Sequence, residues 1–493
     1  MEDEKDQLSS LPDAILIEIL SLLPMKSAAT TSVLSHRWRH LWTGVTRVVI
    51  DARLESTAII DHSLHKLTSR KLHMFVLNLN NFSDNPNPRA SVSWFREVHS
   101  RNVENITFTV PRGGKCFYFI PSFLFNSQSL VTLNLHGLFR WPKFEDLRFH
   151  LPNLKKLVID YLDDIPLWLE ILIKFSSLLE YLDLVFHLDS YSDLSTSVVK
   201  IIPPNLKSLS ISMEFYTPSL MLRTRVSIDA PKLANLRIDD CISIYCFLQN
   251  PTKLVKTCID LKNNGDWSYC EEDEDEDEDM VDEENLGLLQ KEYTHQMTKF
   301  VGGLSSVSNL KLKQEFHTNI FRHCSSANLP IFSNLSRLET ECPMDLLFSL
   351  HCFPNLEHLV VCLWPQTLPT LDFSMEQSDW LQPDSIPDCL ASKLKTIQLS
   401  GIQGTGDSLR VLAYILSHAN VLEKLCIDFR RPNFIYEHKE AYVVWKECQF
   451  CRSLFKLPRR SSTCEVVVSG CYVTASGNTL QDGYLTCRMY VGK

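Results

Sequence analysis

Residues 151–160 read LPNLKKLVID. Leu154, Leu157 and Ile159 follow the order apolar, two residues, apolar, one residue, apolar. The last two are two residues apart, the spacing that puts side chains on one face of a strand. The same order appears as Leu72-Phe75-Leu77, Val103-Ile106-Phe108, Leu130-Leu133-Leu135, Leu179-Leu182-Leu184, Leu206-Leu209-Ile211 and Leu233-Leu236-Ile238. It returns as Val307-Leu310-Leu312, Leu335-Leu338 (with Thr340 third), Leu356-Leu359-Val361, Leu394-Ile397-Leu399 and Leu422-Leu425-Ile427. From Val103 to Leu233 the steps are 27, 24, 25, 27 and 27 residues. Any amphipathic segment supplies one such match, but twelve in near-register mark a repeat. One short unit cannot bury its apolar face alone, and stacked neighbours make a continuous core. The expectation is an α/β solenoid on a curved parallel sheet, with a concave face whose side chains are free to vary.

The period is that of leucine-rich repeats. A proline stands before the unit in LPNLKKLVID, IPPNLKSLSI, APKLANLRID and FPNLEHLVV, which resembles the irregular plant type of that repeat. The array is expected over residues 51–380, interrupted at about 263–288. There Glu271 to Glu284, EEDEDEDEDMVDEE, holds twelve acidic residues and no basic one. A block of like charges repels itself and cannot offset its ordering entropy, so a disordered surface loop is expected there. A docking tract for a basic partner is the sharper alternative.

The segment 8–42, LSSLPDAILIEILSLLPMKSAATTSVLSHRWRHLW, is apolar far beyond its size. Pro12 suits the first turn of a helix, and Asp13 sits near the positive end of its dipole. Leu11, Ile15, Ile19 and Leu22 or Leu23 recur at helical spacing, while Leu16, Ile17 and Leu20 lie off that stripe. Pro24 ends the helix. A second helix is expected over 27–34. Ser35 is expected to cap a third over 36–43, which carries Trp38, Leu41 and Trp42 beside Arg37, Arg39 and His40. Thirty-five residues cannot bury all these groups against themselves. From the residues alone, the segment is either a cap on a larger fold or a docking module.

The run L-P-D-x-I-L-x-x-I-L-x-x-L-P-x-K, then S-V-L-S-x-R-W-R-x-L-W, resembles an F-box in the form common in a large plant family. Leu11, Pro12, Ile15, Ile19, Leu20, Leu23, Pro24, Val33, Leu34, Ser35, Arg37 and Trp38 fall on that pattern. Ala28 and Thr31 stand where larger apolar residues are usual, and His36 where lysine is common. The resemblance implies docking to a Skp-type adaptor, which tethers the chain to a cullin–RING ubiquitin ligase. Adaptor contacts are then expected at Leu11, Pro12, Ile15, Ile19, Leu20, Leu23, Pro24, Val33, Leu34 and Trp38.

Near the C-terminus, a strand at Leu394–Leu399 leads to Gly401, Gly404 and Gly406. A helix with Leu409, Leu412, Ile415 and Leu416 on one face follows, then a strand from Leu422. Neither phosphate-loop pattern of glycines is present, so a tight turn is expected. Cys389, Leu390, Leu394, Lys395, Gly401, Gly404, Leu409, Tyr414, Ala419, Leu422, Glu423 and Lys424 resemble the FBD domain, and LPRRSSTCEVVV resembles its ending. The resemblances imply a multidomain chain. An all-α F-box (1–50) precedes the leucine-rich-repeat solenoid, and a C-terminal α+β FBD unit (381–468) precedes a tail (469–493) outside the family pattern.

At 493 residues the chain is too long for one compact core, and 44% hydrophobic residues with 10% aromatics mark a folded protein. No apolar run is long enough to span a bilayer, and the acidic start MEDEKDQ is unlike a signal peptide. A cytoplasmic or nuclear location and no membrane partner are therefore expected. The 16 cysteines are scattered and read as reduced, partly buried residues. Cys448 and Cys451 form a lone C-x-x-C, so neither a metal nor another cofactor is expected. The net charge of −10 comes from 49 basic and 59 acidic residues. Without the twelve acids of the run the balance is 49 against 47, or +2, which gives no case for nucleic acid.

The chain shows no nucleophile elbow, metal-ligand pair or phosphate loop, so an enzyme is not expected. Two readings share the F-box signature. One is a substrate receptor of an SCF-type ubiquitin ligase, whose repeats capture an unidentified target protein. The other is an adaptor-binding regulatory protein that delivers no target. Deleting residues 271–284 should leave the thermal unfolding midpoint nearly unchanged; a large fall would show the run to be structural.

Overall fold

In the computed structural model, each unit of the repeat begins with a turn. The structure describes residues 8, 10–51, 57–79, 89–112, 117–162, 165–188, 198–215, 224–240, 243–261, 295–313, 330–341, 349–362, 385–402, 406–429, 440–470 and 474–477. In L-P-N-L the Leu154 amide donates to the Leu151 carbonyl at 3.2 Å, and in F-P-N-L Leu356 donates to Phe353 at 3.2 Å. Proline's fixed φ suits the second position of such a turn, which explains Pro152, Pro231 and Pro354. The asparagine has its own task. Asn153, Asn205 and Asn355 donate from Nδ2 to the carbonyls of Gln128, Ser177 and Ser333 in the preceding unit, at 2.7, 2.8 and 2.8 Å.

The two residues inside L-x-x-L join one unit to the next. The amides of Lys155 and Lys156 share the Val131 carbonyl at 2.8 and 3.1 Å, and those of Lys207 and Ser208 share the Glu180 carbonyl at 2.8 and 3.0 Å. The alternating residues then enter a parallel ladder. Residues up to Leu233 and residues from Ala234 form two compact units. In the first, strands Arg47–Asp51, Met74–Asn78, Asn105–Thr109, Thr132–His136, Lys156–Leu162, Tyr181–Leu188 and Ser208–Phe215 lie side by side, all parallel. Phe75, Ile106, Leu133, Leu157, Leu182 and Leu209 form one buried column, and Leu77, Phe108, Leu135, Ile159, Leu184 and Ile211 a second. Helices cover the buried face. Trp94 and Phe95 of helix Ala90–Ser100 meet Phe108 edge-on at 6.4 and 5.1 Å, and Trp94 Nε1 donates to Asp61 at 2.6 Å.

In the second unit, parallel strands Asn235–Asp240, Lys256–Leu261, Asn309–Leu312, Arg337–Thr340, His358–Cys362, Thr396–Ser400, Lys424–Asp428 and Glu465–Ser469 follow one another. Every one of the twelve sequence units ends on a strand of one of these two parallel ladders, each with helices beside it. Among the described residues, three parallel strands of these two ladders lie outside the predicted series: Arg47–Asp51, Lys256–Leu261 and Glu465–Ser469. Strand Thr474–Gly477, from the region expected to leave the family pattern, pairs antiparallel with Glu465–Ser469. Arg459 holds it there, with Nη1 donating to the carbonyls of Cys464 and Gly477 at 3.1 and 2.9 Å. Gly401 has φ of 77°, the left-handed value a tight turn needs. In helix Gly406–His418, Leu412, Ile415 and Leu416 are buried with Val411, while Leu409 is half-buried. The acidic run and Gly404 lie outside the described residues.

Inward positions are not all apolar. Thr257 and Thr340 are completely buried, and among the described residues neither hydroxyl has a hydrogen-bond partner. An unmade buried hydrogen bond costs about 1–3 kcal/mol. Thr257→Val or Thr340→Val should therefore stabilise the fold by about 1 kcal/mol, read as a higher urea midpoint. A midpoint that falls would show that the hydroxyl has a partner.

Candidate functional site

The N-terminal segment is a small helical module with two unlike sides. Helix α1 (Asp13–Ser21) starts after Pro12, which serves as its N-cap, and Leu22 closes it. Helix α2 (Met25–Thr30) starts after Pro24, earlier than the expected residue 27. The Thr30 and Thr31 hydroxyls bond back to Lys26 and Ala28 at 2.6 Å, and the chain tightens into a 3-10 turn over Thr31–Val33. The expected third helix, capped by Ser35, does not form. Residues 36–40 are turns and Leu41–Gly44 is a 3-10 helix. Trp38 enters the core while Arg37 reaches outward to α1, and a tight turn serves both directions where a regular helix would not.

The buried side belongs to the module and the sheet. Leu16, Leu20, Met25, Ala28, Trp38 and Leu41 are buried. α1 packs on residues 41–44, where a Cβ on Gly44 would stand 3.0 Å from Ile17 Cδ1. α2 packs against strand Arg47–Asp51, and the Ser21 hydroxyl accepts the Thr46 amide at 3.1 Å. The other side faces solvent. Val33 is 82% exposed, Leu22 72%, Leu34 64% and Ile15 47%, and Ile19, Leu23 and Leu8 join them. Water meets an apolar face built from α1, its closing turn and the 31–34 turn.

Most of the ten expected adaptor contacts lie on this face: Ile15, Ile19, Leu23, Val33 and Leu34 are exposed, as are Pro12 and Pro24, and Leu11 is half-buried. Leu20 and Trp38 lie on the inward side. At 1% and 7% exposure they lie in the module's own core and support the face from behind. Leu22 falls on the α1 stripe by its spacing and is among the most exposed apolar residues of the module. Its place in the closing turn, after the last helical residue, turns it outward.

The outward rows of the first unit's sheet are polar and largely self-neutralised. Arg112 Nη2 reaches both oxygens of Asp160 at 2.7 and 2.9 Å, and His136 Nδ1 lies 3.2 Å away. Burial pushes the Asp160 carboxyl up, but the hydrogen bonds from His136 and Arg112 outweigh it, leaving the carboxyl below its ordinary range. Glu104 is likewise lowered by its hydrogen bonds to Lys71 and His73. In the second unit, Lys311 pairs with Glu339 and Lys313 with Asp260 across adjacent strands. Burial drives the Cys389 thiol up to about 12, so it stays protonated. Cys451, from the C-x-x-C, is buried in helix Glu440–Leu454. Among the described residues no group of three or more His, Cys, Asp or Glu is arranged to hold a metal, and no helix is long and apolar enough to cross a membrane.

The module and the C-terminal elements match two family models. The F-box domain matches residues 8–48 and FBD matches residues 382–427. Similarity to whole proteins covers far more of the chain. An FBD-associated F-box protein of Arabidopsis thaliana is 27% identical over 94% of each chain. An F-box/FBD/LRR-repeat protein of the same plant is 28% identical, covering 94% of this chain and 96% of its own. F-box/LRR-repeat protein 13, also of Arabidopsis thaliana, is 28% identical over 94% and 97%. The chain is thus a homologue of the plant F-box/FBD/LRR-repeat proteins, with an F-box at its N-terminal end and an FBD domain toward its C-terminal end.

Proposed function

We propose that this chain is the substrate-recognition subunit of an SCF-type E3 ubiquitin ligase, acting in the cytoplasm or nucleus. The observation that carries the reading is the apolar face of Ile15, Ile19, Leu23, Val33 and Leu34, exposed on a module matched by the F-box model. Such a face suits a helix-in-groove interface with a Skp-type adaptor. Each large apolar side chain buried there contributes about 1.5–3 kcal/mol before ordering costs. The F-box occupies residues 1–50. Residues 51–380 form a leucine-rich-repeat solenoid whose concave face binds the target protein, and residues 381–468 form the FBD unit. Other subunits carry out the ubiquitin chemistry, and this chain contributes binding alone.

Leu11→Ala with Pro12→Ala should abolish capture of the adaptor in a pull-down while the chain stays folded. Full retention of the adaptor would sink the docking reading. With the proteasome blocked, target proteins that gain ubiquitin only with the wild-type chain support delivery, and adaptor binding without them favours a regulatory role. The exposed and supporting residues should also separate. Val33→Asp should change stability by no more than about 0.5 kcal/mol yet lose the adaptor. Leu20→Ala should cost about 2–5 kcal/mol of stability, seen in the thermal midpoint.

A further inference from the structure

The docking face is assembled from two stretches that do not adjoin in sequence. Ile15 and Ile19 lie on α1, and Val33 and Leu34 lie on the turn that follows α2. Trp38 anchors the second stretch from behind, in the core. In front, the link is Arg37. Its Nε donates to Asp13 Oδ1 at 2.8 Å, and its Nη2 stands 2.6 Å from the same oxygen. Nη2 also donates to the Leu11 carbonyl. One guanidinium, three residues after Leu34, thus brackets Pro12 at the start of α1. Only the rigid fork of arginine can do this, since an ammonium is a single compact donor on a flexible stem. The Asp13 side chain is 61% exposed and that of Arg37 36%, so the pair adds little to folding stability.

We propose that Arg37 is a positioning residue of the docking face. Its clasp on Leu11 and Asp13 holds the Val33–Leu34 edge in fixed relation to Ile15 and Ile19, so the face meets the adaptor already ordered. An ordered face binds more tightly because less freedom is lost on association. The inference rests on the docking function proposed above.

The test is a double-mutant cycle on the full chain, with adaptor Kd and thermal midpoint measured for wild type, Asp13→Ala, Arg37→Ala, the double variant and Arg37→Lys. Each single alanine variant should raise Kd about tenfold, and the double variant no further than either single. Arg37→Lys should recover only part of the affinity, and all midpoints should stay within about 2 °C of wild type. Additive losses would overturn the proposal, because Arg37 would then touch the adaptor directly. An unchanged Kd in the variants would overturn it by showing the face positioned without the clasp. Midpoints that fall in step with affinity would make the clasp merely structural. A wild-type chain that binds no adaptor would instead refute docking itself, and the role of the clasp with it.

Discussion

The carbonyl between consecutive units that takes two amides at once is the contact on which the sheet depends. At Val131 it receives Lys155 and Lys156, at Ala234 it receives Val255 and Lys256, and at Lys395 it receives Glu423 and Lys424. Because both residues of L-x-x-L are held, the next leucine must enter the ladder opposite its counterpart. A slip of one residue would turn every inward side chain outward. The asparagine ahead of the leucine adds a second tie to the same neighbour, so length variation between units is absorbed in the connections and not in the register. That is how steps of 24 and 27 residues coexist in one continuous column of leucines.

A parallel ladder leaves an exposed edge where it begins, and an open edge invites pairing with other chains. In the first unit, α2 packs against the starting strand Arg47–Asp51. Cap and docking module are rival readings of the sequence, and the fold leaves room for one segment to serve as both. Its Leu16, Leu20 and Met25 side is used within the molecule, which leaves the Ile15 and Val33 side as surplus. In the second unit the last parallel strand is covered differently, by antiparallel Thr474–Gly477 under the grip of Arg459. Burial lowers the readiness of the Arg459 guanidinium to stay charged, and the two carbonyls it holds offset that cost through hydrogen bonds.

The repeat was legible because its signal is carried by side chains that all do the same thing. The strands outside the predicted series show where that signal fades. Val48 and Ile50 continue the pattern from Val45, but they fall within the segment read as F-box. Thr257 breaks the apolar order of the strand after Leu254, although the backbone follows the ladder unchanged. The last parallel strand is preceded by Thr463 and Cys464, which are small and carry little periodic signal. Within the F-box, composition identified the residues but not their direction. Leu20 and Ile19 are neighbours of similar chemistry, and only the packing of α1 on residues 41–44 decides which one turns inward.

The outward rows of the sheet obey a different constraint. The columns of Leu133 and Leu157 fix the backbone, and the residues beside them, such as Thr132 and Lys156, stay partly exposed. Charges at or beside these rows pair with neighbouring repeats: Asp160 with Arg112 and His136, Lys311 with Glu339, Lys395 with Glu357. Exposed pairs of this kind contribute little to stability. On the reading proposed above, they set the terms for a target protein, which must either match a neutralised mosaic or break a pair and replace it. Breaking Arg112–Asp160 would remove one of the two contacts that offset the burial of the Asp160 carboxyl, so a partner cation would have to take its place. Selectivity on such a face comes as much from the pairs a wrong partner cannot replace as from the contacts a right one makes.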